Sequence, residues 1–169
     1  MDSPRIQAAP SSSSSPCSKP QPEEVFLSFR AEDTRNNITD HLYHALNDKG
    51  IITFKDDEEH EMENPISPEY FNAVEKSRMA VIILSKNYAS STWCLEELAK
   101  IVECMEGGMW ALPIFYHVDP SDVRHQKGTF EVAFAEHEKR FKENIEKVQK
   151  WRAAVRQVAN LFGQHIKDG

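Results

Sequence analysis

Apolar residues run in short blocks divided by polar turns. The runs at 25–29, 51–54, 80–84, 111–116 and 164–166 each read as a strand. The central one, Ala80-Val81-Ile82-Ile83-Leu84, is unbroken, as expected of a strand buried on both faces. Between these blocks the spacing becomes helical. Ile38, Leu42, Ala45 and Leu46 form a stripe that stops at Lys49-Gly50. Ser67-Pro68 opens a second helix that turns Phe71 and Val74 inward. Ser91 or Thr92 caps a third over 93–105, whose Cys94, Leu95, Leu98, Ile101, Val102 and Met105 share one face. Phe130, Ala133 and Phe134 mark a helix after Gly128. Val148, Trp151, Val155, Val158 and Phe162 mark another, ending at Gly163. Pro113 cannot donate to a ladder, so a bulge or an irregular end is expected in the fourth strand. Residues 117–122 read as a turn.

Strands alternating with helices give an α/β class with a parallel sheet and right-handed crossovers. For five strands the expected order is 2-1-3-4-5, the flavodoxin-like arrangement with helices on both faces. That order reverses between the first and third strands, and ligands bind beyond the carboxyl ends there. The loops at that point are 28–33 and 85–91, next to Trp93 and Glu97. On the third helix Glu96 points to solvent. Glu97 falls about 100° from the centre of the apolar face, at the edge of the core and one turn from Trp93. Two readings of Glu97 stand on the residues alone. It is a ligand-facing carboxylate, or it is a first-turn acid that favours the helix dipole. The topology shifts weight toward the first.

Composition narrows the classes. The chain has 169 residues and a net charge of −7, with six acids in one stretch: Asp56, Asp57, Glu58, Glu59, Glu61 and Glu63. The remainder is near neutral, so no general affinity for nucleic acid is expected. No apolar stretch reaches the roughly 18 residues of a membrane span. Three cysteines, Cys17, Cys94 and Cys104, have neither disulfide-framework nor zinc spacing and read as reduced. Residues 1–22 hold five of the nine prolines and the serine run 11–15, so they read as a disordered tail without a secretory segment. The domain is expected over 23–166, with 167–169 beginning a linker or ending the chain. A phospho-receiver reading fails, because its acids should follow the first strand and an Asp the third, which instead ends in Ser85. A flavin-phosphate reading fails for want of a glycine cradle in Ser28-Phe29-Arg30-Ala31-Glu32-Asp33.

Several longer motifs carry a family resemblance. Val25-Phe26-Leu27-Ser28-Phe29-Arg30-Ala31-Glu32-Asp33-Thr34-Arg35 resembles the opening of plant TIR domains, signalling modules of intracellular immune receptors. Ser85-Lys86-Asn87-Tyr88, Trp93-Cys94-Leu95-Glu96-Glu97-Leu98 and Pro113-Ile114-Phe115-Tyr116-His117-Val118-Asp119-Pro120 follow in the same order. The resemblance implies cleavage of the nicotinamide–ribose bond of NAD, or NADP, as substrate, with no permanently bound cofactor and no metal. It places the catalytic carboxylate at Glu97 and Trp93 beside the ribose or nicotinamide. It assigns Ser28, Phe29, Arg30, Ala31, Glu32 and Asp33 to ribose and phosphates, with Met62 in the loop that closes the pocket. It implies self-association and contacts with other TIR proteins, through Asp40 and His41 on one face and through Gly128 and the Trp151 helix on another. On the residues alone, Asp40 and His41 read equally well as a solvated helix face. The expected location is the cytoplasm or the nucleus. The chain departs from the family pattern at Glu59, Met62 and Ala31, where Leu, Gly and Gly are usual. Its second loop is one residue longer, and the family's last helix is expected to be absent. A non-catalytic TIR interaction module is the alternative function.

Overall fold

The expected strands all form and pair as read. β1 (Val25–Ser28), β2 (Thr53–Lys55), β3 (Met79–Leu84), β4 (Trp110–Tyr116) and β5 (Gln164–Ile166) lie in the order β2-β1-β3-β4-β5, every pair parallel. The computed structural model describes residues 24–34, 38–55 and 68–167. The tail 1–22, the acidic stretch 56–63 with Met62, and the last two residues of the expected 167–169 segment lie outside the described residues.

The helices are α1 (Ala31–Thr34), α2 (Asp40–Asp48), α3 (Pro68–Lys76), α4 (Thr92–Glu106), α5 (Pro120–His125), α6 (Thr129–Arg140) and α7 (Ile145–Ala159). Side chains alternate across a strand, so the apolar runs feed two cores. Phe26, Ala80, Ile82, Leu84 and Phe115 face one side, under α3, α4, α6 and α7. Val25, Leu27, Val81, Ile83 and Ile114 face the other, covered by Ile38, Leu42, Tyr43 and Leu46 around α2. Both faces are therefore apolar, which is why β3 reads as an unbroken run.

Four local expectations need correction. No bulge breaks the pairing at Pro113: the β3–β4 register runs straight through it, with Ile82 opposite. A Cβ on Gly163 would lie 2.2 Å from the Pro113 carbonyl oxygen, so that carbonyl faces the β5 side. The nitrogen of the same residue points the same way, and β5 pairs only from Ile114 onward. The missing N–H therefore costs no ladder bond. The expected turn at 117–122 instead opens α5, with Pro120 in its first turn and the Asp119 carboxylate accepting from the Ser121 N–H at 2.8 Å. On α3 the inward residues are Tyr70, Ala73 and Val74, while Phe71 is only half-buried. Phe162 lies past the end of α7 and is 92% exposed, whereas Val148, Trp151, Val155 and Val158 fill the core.

Candidate functional site

The start of α4 is fixed before any ligand is considered. The Ser91 hydroxyl accepts from the Cys94 N–H at 3.1 Å and caps the helix. The Cys94 thiol reaches back to the Phe29 carbonyl at 3.5 Å. The Tyr88 hydroxyl donates to the Cys94 carbonyl at 3.2 Å, which leaves it to accept from the Ser28 hydroxyl at 2.7 Å. The end of β1 and the first turn of α4 are thus joined by buried polar contacts. Burial pushes the Tyr88 phenol well above its ordinary value, with the charges of Cys94 and Glu97 adding to it. Burial also raises the Cys94 thiol, again with Glu97 adding, so both groups are protonated at neutral pH.

Glu97 sits one turn further along α4 and is 2% exposed, not at a wet rim. Spacing along α4 sets Glu97 at the edge of the face that packs on the sheet. α3 also packs along α4, tied by a Lys100–Glu75 ion pair at 2.7 Å, and roofs that edge. From α3 the Tyr70 hydroxyl donates to Glu97 Oε2 at 2.5 Å. The Tyr70 ring meets Phe26, Phe54 and Trp93 edge-on, at centroid distances of 5.6, 5.6 and 5.3 Å. The phenol that holds the carboxylate is therefore itself set among rings drawn from β1, β2 and α4. Of these rings, Trp93 and Phe54 are half-buried. Glu96, on the neighbouring side of the helix, pairs with Lys147 of α7 at 3.0 Å.

The loop after β1 differs from the expected ligand cradle in two places. Ser28 is fully buried and bonded to Tyr88, so its hydroxyl serves the core. Asp33 is a brace between loops: it accepts from the Ser85 hydroxyl at 2.6 Å, the Asn87 N–H at 3.0 Å and the Asn87 side-chain amide at 3.3 Å. Arg30 already faces two carboxylates, Glu32 at 2.9 Å and Asp33 at 3.2 Å. Phe29 and Ala31 are half-buried beside them. Next to this brace a crevice of about 690 Å³ opens over the carboxyl ends of β3 and β4, lined by Asp33, Asn87, His117, Asp119, Lys127 and others. Neither Glu97 nor Trp93 lines it.

The residues expected at interfaces separate in the same way. His41 is exposed on α2, and Asp40 beside it pairs with Lys55 at 3.2 Å. Gly128 has φ 62° where the chain enters α6, a backbone reason for glycine. Trp151 is 1% exposed, packed edge-on against His137 and Phe141, so its side chain belongs to the core. Tyr70 and Tyr88 were not singled out from the sequence. A signal for Tyr70 existed, since it stands four residues before Val74 on the same helical face. Nothing local to the sequence announces the contact with α4.

The chain resembles known proteins over nearly its whole length. The profile of the TIR domain family matches residues 24–169. Disease resistance protein RPV1 of Vitis rotundifolia is 50% identical over 164 residues, covering 96% of this chain and 11% of that protein. TMV resistance protein N of Nicotiana glutinosa is 52% identical over 141 residues, covering 83% of this chain and 12% of that protein. The chain thus spans about a tenth of the length of these relatives. Among solved structures, the TIR domains of the activated Roq1 resistosome, which directly recognises the pathogen effector XopQ, superpose with a TM-score of 0.78 at 50% identity. That match covers 84% of this chain and 86% of the other. With a family profile spanning both cores, half its residues shared with such relatives and the same sheet order, the chain belongs to the TIR domain family.

Proposed function

We propose that this TIR domain cleaves the bond between nicotinamide and ribose in NAD, that Glu97 is its catalytic carboxylate, and that it signals in plant immunity when self-associated. The observation that carries this reading is the buried Glu97 carboxylate, on the helix that follows β3 and beside the end of β1, held by the Tyr70 hydroxyl. Breaking an N-glycosidic bond builds positive charge on the ribose, and a fixed carboxylate in apolar surroundings stabilises that charge. Nicotinamide leaves as a neutral group from a cationic linkage, so one acidic side chain suffices. In this reading the half-buried ring of Trp93, one turn before Glu97, stacks on the sugar or the base. NADP is the second substrate to try. The disease-resistance relatives support a role in immune signalling, and the resistosome of the solved neighbour supports a self-associated working form.

Replacing Glu97 with Ala lowers NAD turnover at least ~100-fold, the low end for a positioned catalytic group. The assay uses concentrated or forcibly oligomerised protein. Equal consumption by the two proteins ends the assignment. A second reading, a non-catalytic module that recruits other TIR domains, is favoured by the 2% exposure of Glu97. The same assay separates the two, because this module consumes no NAD at any concentration.

A further inference from the structure

The phenol above Glu97 has a task within the proposed reaction. Tyr70 is 8% exposed and fixed by edge contacts to Phe26, Phe54 and Trp93. Those contacts need only the ring, and a phenylalanine would keep them. The hydroxyl makes a different contact, 2.5 Å to Glu97 Oε2, within the range of an O–H bonded to an ionised oxygen. A carboxylate buried as deeply as Glu97 tends to take up a proton, and a donor directed at one oxygen opposes this. Among the described residues, the titratable groups that face Glu97 include Tyr70 of α3, Tyr88 of the turn after β3 and Cys94 of its own helix. Tyr88 and Cys94 are held protonated by burial, and Arg30 and Asp33 act one step further out, on Cys94.

Resting on the NAD-cleaving reading, we propose that Tyr70 is a positioning residue of that reaction: its hydroxyl keeps Glu97 ionised and fixes the rotamer in which the carboxylate meets the ribose. No group is transferred to or from the phenol, which donates one hydrogen bond before, during and after bond cleavage.

The experiment compares wild type with Tyr70→Phe in two readouts. The first is the titration of the Glu97 carboxyl carbon, ¹³C-labelled and identified by its loss in Glu97→Gln. The second is the pH profile of kcat and KM for NAD in the oligomerised protein. Without the hydroxyl, the Glu97 midpoint rises by about one pH unit, the scale of one hydrogen bond to a charged group. The acid limb of kcat/KM moves by the same amount, and kcat falls more than KM changes. A midpoint that stays in place while wild type cleaves NAD overturns the positioning role alone. A wild type that consumes no NAD overturns the NAD reading, and the role with it, even where the midpoint moves. Should Tyr70→Phe fail to fold, a fluorinated tyrosine at position 70 donates more strongly in the same shape. The midpoint then falls, and a midpoint unchanged or raised counts against the proposal.

Discussion

Asp33 accepts three hydrogen bonds from Ser85 and Asn87 and a fourth from Arg30, so one carboxylate braces the loops after β1 and β3. Removing it leaves the Ser85 hydroxyl and the Asn87 N–H without this acceptor in a partly buried place. Asp33→Ala should lower stability by about 1–3 kcal/mol, seen as a fall in the urea midpoint with the slope unchanged. An equal midpoint would mean that water replaces the carboxylate without loss. Glu97 shows what can be read at this scale from sequence. Helical spacing picked it out over Glu96, and the structure separates the two: Glu96 pairs with a lysine at the surface and Glu97 is buried. Its burial was not legible, because that comes from α3, which contacts α4 only in three dimensions. The hydroxyl of Ser28 is illegible for a related reason, since its partner Tyr88 lies sixty residues away in the chain.

At the scale of elements, periodicity carried most of the information. All five strands and their order followed from apolar runs and the alternation with helices, and Gln164–Ile166 was placed to the residue. Errors fell where one residue type has two uses. Pro113 argued for a bulge but sits where its neighbour strand has not yet begun. Asp119-Pro120 was read as a turn and is the capped start of α5. Gly163 enables the join between β4 and β5, since a Cβ there would overlap the Pro113 carbonyl and ring at 2.2 and 2.6 Å. Gly163→Ala should therefore push β5 away and cost about 1–3 kcal/mol, typical of an overpacked site. Hydrogen exchange at the His117 N–H, which donates to the Ile166 carbonyl across this join, should speed up with it. Unchanged exchange there would show that the strand absorbs the methyl group elsewhere.

Across the whole molecule, the core under α3, α4, α6 and α7 holds a titratable group away from the site. His137 is 5% exposed, donates through Nε2 to the Ala89 carbonyl at 2.7 Å and packs edge-on against Trp151. Burial lowers its pKa below the ordinary histidine value of 6.5. The unfolded chain then binds a proton at a higher pH than the fold does. Its contribution to stability is complete above about pH 6.5 and is lost as pH falls through the lower folded value. The melting temperature of wild type should drop between pH 7 and pH 5 by more than that of His137→Gln, and parallel curves would remove His137 as the cause. The contacts joining β1 to α4 have a different reach. Ser28, Tyr88 and Cys94 form a chain in which each hydroxyl or carbonyl answers the next. Position 94 joins through its backbone carbonyl, which any residue supplies, so the coupled pair is Ser28 and Tyr88. A chain that replaces Ser28 must find a new donor for Tyr88 or loosen the first turn of α4, and with it the footing from which Glu97 meets Tyr70.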